Sequence, residues 1–223
     1  MKGYFITLEG PDGCGKTTVA NNLDKKLTEL GYEVVHTREP GGIDIAEQIR
    51  NVILDPKNTA MDPKTEALLY AASRRQHLVE RVFPALEQGK IVICERYLDS
   101  SLAYQGFGRK LGLDEVLNVN MFATENTYPD LTIYLDIDEE VGLARLADRE
   151  FKDRLDQESI DFHHLVKQGY KEVLKRFKDR IKIVDASKDR ETVANEALDL
   201  IIGLINDSKW FKAKRASSLS KFI

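Results

Sequence analysis

The chain reads as an α/β protein built on a parallel sheet, and three observations predict this. Short β-rich apolar runs alternate with longer segments of helical periodicity. A glycine-rich turn lies between the first such run and the first helix, and no repeat, low-complexity tract or Pro/Gly/Ser-rich linker divides the chain. Strands that alternate with helices imply crossovers that cover both faces of the sheet. With 223 residues, 42% of them apolar and 31% charged, the chain can bury one substantial core.

Taken in order, residues 4–8 form a short β-rich run, followed by a glycine-rich turn and a helix over 17–30 with Val19, Ala20, Leu23, Leu27 and Leu30 at helical spacing. Gly31 stops that helix, and residues 33–37 supply a second strand, completing a βαβ unit. Helices are predicted over 46–54 and 65–88, then a strand over 91–94 after Gly89. A fourth strand over 131–135, helices over 140–147 and 160–177, a fifth strand over 181–184 and a helix over 192–205 complete the domain, residues 1–206. Residues 207–223 are a basic tail carrying Lys209, Lys212, Lys214, Arg215 and Lys221 with Trp210, Phe211 and Phe222. The tail reads as a frayed end or short surface helix, with a contact to a partner or acidic surface as the alternative.

A net charge of −4 gives no whole-surface attraction for nucleic acid or anionic membranes, so any phosphate site must be local. Only two cysteines, Cys14 and Cys94, and a start without a signal-peptide apolar core predict a reducing, cytoplasmic setting. No apolar run approaches the roughly 20 residues that a bilayer requires.

The strongest local signal is Gly10-Pro11-Asp12-Gly13-Cys14-Gly15-Lys16-Thr17, which matches the nucleotide-binding pattern G-x-x-x-x-G-K-[ST] between a strand and a helix. Backbone N–H groups and the helix N-terminus can surround phosphates there, and glycines permit the close approach. Residues 10–18, ending on Thr18, are thus expected to hold ATP, with Lys16 between the β and γ phosphates and the Thr17 hydroxyl on Mg²⁺. Many regulators, motors and kinases share such a loop, so the loop alone names no reaction.

Phosphoryl transfer needs cations around the moving group, which directs attention to arginines. Arg38 and Arg96 follow the carboxyl ends of predicted strands, where open α/β sheets bind ligands. Arg50, Arg74 and Arg75 lie on predicted helices, while Arg145, Arg149 and Arg154 surround a densely charged stretch at about 146–158 that reads as a lid.

Three further strings, residues 37–42 (TREPGG), 70–75 (YAASRR) and 95–106 (ERYLDSSLAYQG), join the loop at 10–17, and together the four resemble bacterial thymidylate kinases over about residues 3–205. The resemblance implies strand order 2-3-1-4-5, a homodimer, and transfer of the γ-phosphoryl group of ATP to dTMP. It places Arg96, with Arg38 and Arg50, on the acceptor phosphate, Tyr70 under the thymine and Arg74 on the base O4. Ser101 and Gln105 match positions near the base edge, and Tyr104 a ring against the sugar. Asp12 would contact the sugar 3′-hydroxyl or the water shell of the metal. Glu95 stands where aspartate is commoner, so Mg²⁺ contact through water is expected. One branch of the family carries its catalytic arginine in the phosphate loop; here Gly13 occupies that position, so the lid must supply it, Arg149 first and Arg154 second. Arg145 resembles the arginine that stacks on adenine. The competing readings are a kinase for dCMP, UMP or AMP and, in another class, a P-loop switch ATPase, which needs neither Arg38 nor Arg96.

Overall fold

The computed structural model describes residues 3–138, 140–142, 144 and 153–219, with residues 208–219 described as backbone only. Of the helix expected over 140–147, residues 140–142 and 144 are described and are helical; the other residues of that span, with Arg145 and Arg149, lie outside the described residues.

Five parallel strands form one sheet: β1 (Tyr4–Glu9), β2 (Val34–Arg38), β3 (Ile91–Glu95), β4 (Leu131–Asp136) and β5 (Ile181–Asp185). Their order is β2-β3-β1-β4-β5, as the resemblance implied. Along β1 and β3 the side chains alternate between two cores because successive residues point to opposite faces. Phe5, Val92 and Cys94 join Leu102, Tyr134 and Val166 on one face, whereas Ile6, Leu8, Ile91 and Ile93 join Leu23, Leu27 and Ile201 on the other. Burial on both faces explains why the central strands read as continuous apolar runs.

Helix α1 (Lys16–Glu29) buries Val19, Ala20, Leu23 and Leu27 against the sheet. It ends in a Schellman turn at Gly31 (φ +85°), where the Gly31 N–H donates to Thr28 O and the Tyr32 N–H to Leu27 O. Helix α2 (Asp44–Leu54) leads to α3 (Pro63–His77), which begins with Asp62 as N-cap; Asp62 Oδ1 accepts from the N–H groups of Lys64 and Thr65, and Pro63 fills the first position.

The helix expected over 65–88 is divided. A π-helical turn (Leu78–Val82) separates α3 from α4 (Phe83–Glu87), and the Phe83 N–H bonds Leu78 O, five residues back. Pro84 supplies the physical reason: without an N–H it cannot continue the regular ladder. A second π-helical segment (Leu102–Gly108) follows the short α5 (Leu98–Ser101), and then comes α6 (Leu113–Thr124), an element beyond the sequence reading. Helix α7 (Ile160–Arg176) packs against the second π segment, and α8 (Arg190–Leu219) extends past residue 205 into the basic tail. Among the described residues no helix is long and apolar enough to cross a membrane.

Candidate active site

The carboxyl ends of β1, β2 and β3 open into a cleft of about 430 Å³. Its donor side is the loop between β1 and α1. Gly10 sits at φ +140°, where a Cβ would stand 2.6 Å from Leu135 O, so the loop can pass the neighbouring strand only with glycine there. Gly15 caps α1 in a left-handed conformation. Lys16 folds back over the loop, its Nζ donating to Pro11 O at 2.8 Å and Gly10 O at 3.1 Å. The Thr17 hydroxyl donates to Glu95 Oε2 at 2.6 Å, and Glu95 Oε1 lies 3.0 Å from His36 Nε2. Burial opposes ionisation of Glu95, yet the bonds from His36 and Thr17 hold its carboxyl below the ordinary value.

A hydroxyl and an ionised carboxylate at the loop are hard oxygen donors, the set that Mg²⁺ prefers. Both residues line the cleft. The two Glu95 oxygens already have partners in Thr17 and His36, so a metal here would be reached through water more readily than directly.

The opposite wall is built around two arginines, Arg74 paired with a buried acid and Arg96 with a partly buried one. Arg96 adopts φ +66°, uncommon for a residue with a Cβ, and its N–H bonds Leu8 O. Its guanidinium meets Asp12 Oδ1 at 2.7 Å, Ser100 Oγ at 3.1 Å and Tyr170 OH at 3.3 Å. Behind it Glu9, fully buried, accepts from the Ser100 hydroxyl, the Tyr170 hydroxyl and the Tyr97 and Ser100 N–H groups. Burial, with the charge of Asp99, raises the Glu9 carboxyl above its ordinary range. Burial also disfavours the charged form of Arg96, but Tyr104 and Asp12 more than offset it and raise the guanidinium well above normal.

Arg74 is 1% exposed. Its Nε donates to Glu39 Oε2 at 2.7 Å, one terminal nitrogen to Ser101 Oγ and Asn120 Oδ1, and the other to Tyr97 O at 2.9 Å. Burial alone would raise Glu39, yet Arg74 and His77 hold it ionised below its usual value. Glu39, His77 and Cys94 lie within 4.8 Å of one another, but the Glu39 oxygens are taken by Arg74 and His77, and His77 Nε2 by Thr37. The group is therefore the support of Arg74.

Thus Asp12, Gly13, Gly15, Lys16, Thr17 and Thr18 line the cleft with Arg38, Arg50, Tyr70, Arg74, Glu95, Arg96, Ser101, Tyr104 and Gln105. Tyr104 joins the two sides: its hydroxyl donates to Asp12 Oδ2 at 2.6 Å and its ring lies under Arg96. Arg38 is paired with Glu47 and, like Arg50, donates to Pro40 O. Of the described residues in the charged stretch at about 146–158, Asp153, Leu155 and Asp156 reach the cleft. Arg154 is placed elsewhere: buried, it donates to Ile53 O at 2.8 Å and to Glu66 at 2.6 Å, beside Gln105 and Arg109. The donors and acids that support the site, Glu9, Glu39, Glu66, Asn120 and Tyr170, escaped the sequence reading, since nothing local marks them.

The family model described as Thymidylate kinase matches residues 8–197. The chain belongs to the thymidylate kinase family. It is 58% identical over 203 residues to a thymidylate kinase of Bacillus licheniformis, covering 90% of this chain and 96% of that protein. A thymidylate kinase of Clostridium novyi is 54% identical over 197 residues, 87% of this chain and 96% of that one. The crystal structure of thymidylate kinase from Ehrlichia chaffeensis superposes with a TM-score of 0.75 at 31% identity, covering 90% of this chain and all of that one. The family thus spans both sides of the cleft, from the β1 end to α8.

Proposed function

We propose that this cleft transfers the γ-phosphoryl group of ATP to dTMP, giving ADP and dTDP. The observation that carries this reading is the opposition of Lys16 and Thr17 to Arg96, with Asp12 and Tyr104 bridging the two, in one cleft whose inner wall holds Tyr70 and Arg74. A P-loop protein that only hydrolyses ATP has no need of the second half.

In this reading the backbone of residues 10–18 receives the triphosphate, and Lys16 exchanges its loop carbonyls for the β and γ phosphates. Mg²⁺ bound at Thr17 and, through water, Glu95 would neutralise charge on those phosphates. Arg96 receives the acceptor phosphate with its planar fork, aided by Arg38 and Arg50. Asp12, which now occupies Arg96, is released to the sugar 3′-hydroxyl or to the water around the metal. Tyr70 stacks on thymine, Arg74 reads O4 with Ser101 and Gln105 near the base edge, and Tyr104 excludes a 2′-hydroxyl. With Arg154 engaged by Glu66, Arg149 is the lid arginine assigned to the transferring group, and Arg145 is assigned to the adenine.

Two further parts of the reading rest on the family and on the surface. A cytoplasmic setting follows from the nucleotide substrates. A homodimer is supported by Phe122 on α6, 90% exposed, and Leu68 on α3, 57% exposed, apolar side chains beyond the needs of the monomer core.

An ADP-release assay with ATP, Mg²⁺ and dTMP, dUMP, UMP, dCMP, AMP or no acceptor tests the reading. Turnover dependent on dTMP is expected. Equal release in all wells would leave only an ATPase, and preference for UMP or AMP would contradict the base pocket.

A further inference from the structure

The contact between His36 and Glu95 has no part in the roles assigned above. His36 lies on β2 in register with Ile93, and Ile93 and Glu95 share one face of β3. The His36 side chain therefore reaches diagonally along that face to the Glu95 carboxylate, 3.0 Å from Nε2 to Oε1. Glu95 lines the cleft, and His36 lies behind it, outside the lining; the pair is partly shielded, with side-chain exposures of 22% and 11%. The other Glu95 oxygen takes the Thr17 hydroxyl.

We propose that His36 is a positioning residue that fixes the Glu95 carboxylate, and through it the Thr17 hydroxyl, for metal-bound ATP. This rests on the reading of Thr17 and Glu95 as the metal side of the ATP site. Glutamate has one more rotatable bond than aspartate, so a carboxylate at this place needs a second point of attachment to keep one orientation. His36 provides it, with Nε2–H as the donor. Glu95 so held accepts the hydrogen bond of the Thr17 hydroxyl, which turns the O–H toward Glu95 and leaves the oxygen lone pairs for a cation. Partners that orient a metal's ligands in this manner are worth about 10–100-fold in affinity when they touch a direct ligand. One step further out, about three- to tenfold is expected.

The test is calorimetric binding of a non-hydrolysable ATP analogue, once with Mg²⁺ and once with EDTA, to the wild-type chain and to His36→Ala, His36→Gln, Glu95→Ala and the double variant His36→Ala/Glu95→Ala. In His36→Ala the Kd with Mg²⁺ should rise about three- to tenfold, while the Kd in EDTA and the Kd for dTMP stay unchanged. His36→Gln, which restores an N–H donor, should recover most of the loss. In the Glu95→Ala background, removal of His36 should have no further effect. Equal loss with Mg²⁺ and with EDTA, or an additive effect in the double variant, would overturn the proposal and leave His36 a packing residue. If wild-type binding is itself indifferent to Mg²⁺, the metal reading of the site fails. That outcome is distinct, because it is visible before any variant is measured.

Discussion

The two sides of the cleft hold their cations by opposite means. On the donor side Lys16 is held by carbonyls of its own loop, Gly10 O and Pro11 O, with no buried acid as its partner among those bonds. On the acceptor side Arg74 and Arg96 are fixed from behind by Glu39 and by Glu9 with Ser100 and Tyr170, all buried. Neutral carbonyls release a lysine easily to a polyphosphate, whereas a guanidinium locked into a salt bridge keeps one orientation and reads shape. On the proposed reading, the difference suits the donor side to gripping a common ligand and the acceptor side to discriminating among similar ones.

Substitutions can break the comparison on each side separately. The largest effect is expected from Lys16→Met, which removes the mobile cation from the transferring charge: kcat should fall about 10³-fold. Calorimetry should find dTMP binding nearly unchanged, and a matching loss of dTMP affinity would show that the two sides are not independent.

Next comes Glu39→Gln, which leaves Arg74 buried without its ion-pair partner. Breaking such a pair from one side costs about 3–5 kcal/mol, read as a lower urea midpoint at unchanged slope. ATP binding should survive while dTMP binding weakens. The same variant carries a pH signature. Glu39 has a folded pKa below its unfolded value, so its stabilisation is complete above about pH 4.3, the unfolded value, and is lost as pH falls through the folded one. The stability of the wild-type chain should therefore fall more steeply below about pH 4 than that of Glu39→Gln. Parallel curves would mean that Arg74 and His77 do not hold the Glu39 carboxyl below its unfolded value.

How much of this was legible in the sequence follows the same division. The phosphate loop of the donor side is eight consecutive residues, Gly10 to Thr17, so a string carries it, although Glu95, which takes the Thr17 hydroxyl, lies 78 positions away. The acceptor side is assembled across the fold: Arg74 meets Glu39 and Asn120, 35 and 46 positions away, and Glu9 meets Tyr170, 161 positions away. Chemistry named Arg74 only as one arginine among several, and resemblance gave it a role; Glu39 lay within a quoted string without being assigned, and Asn120 went unmarked. Among the elements, five strands were within reach because buried parallel strands are distinctive, whereas the order of the sheet came from the resemblance alone. The π turns were not, since π and α segments share composition, and Pro84 was the one local hint of a break at Leu78–Val82. Helix α6 was readable from Leu113, Val116, Leu117, Asn120 and Met121 at helical spacing after Gly112.

A smaller effect should sharpen the distinction between charge and geometry. Arg96→Lys keeps a cation but loses the planar fork that holds Asp12, Ser100 and Tyr170 together. Affinity for dTMP should fall about 30- to 100-fold, the worth of one or two charge-assisted bonds, with the Kd for ATP unchanged. If lysine serves as well as arginine, the acceptor side works by charge alone and is no different in kind from the donor side.

The smallest effect is the most informative about how the sides meet. Tyr104 donates to Asp12 Oδ2 while its ring lies under Arg96, so it touches both the phosphate loop and the acceptor arginine. Tyr104→Phe keeps the ring but removes the bond to Asp12 and the long one, 3.4 Å, that the hydroxyl accepts from Arg96; at about 1 kcal/mol, nearly all from the short bond, the loss in dTMP affinity should be about fivefold. The preference for dTMP over its ribose counterpart should persist, because exclusion of a 2′-hydroxyl is assigned to the bulk of the ring. If that preference collapses in Tyr104→Phe, the hydroxyl carries it instead, acting through Asp12. Sugar recognition would then belong to the phosphate loop, and the two sides would share their selectivity as well as their substrate.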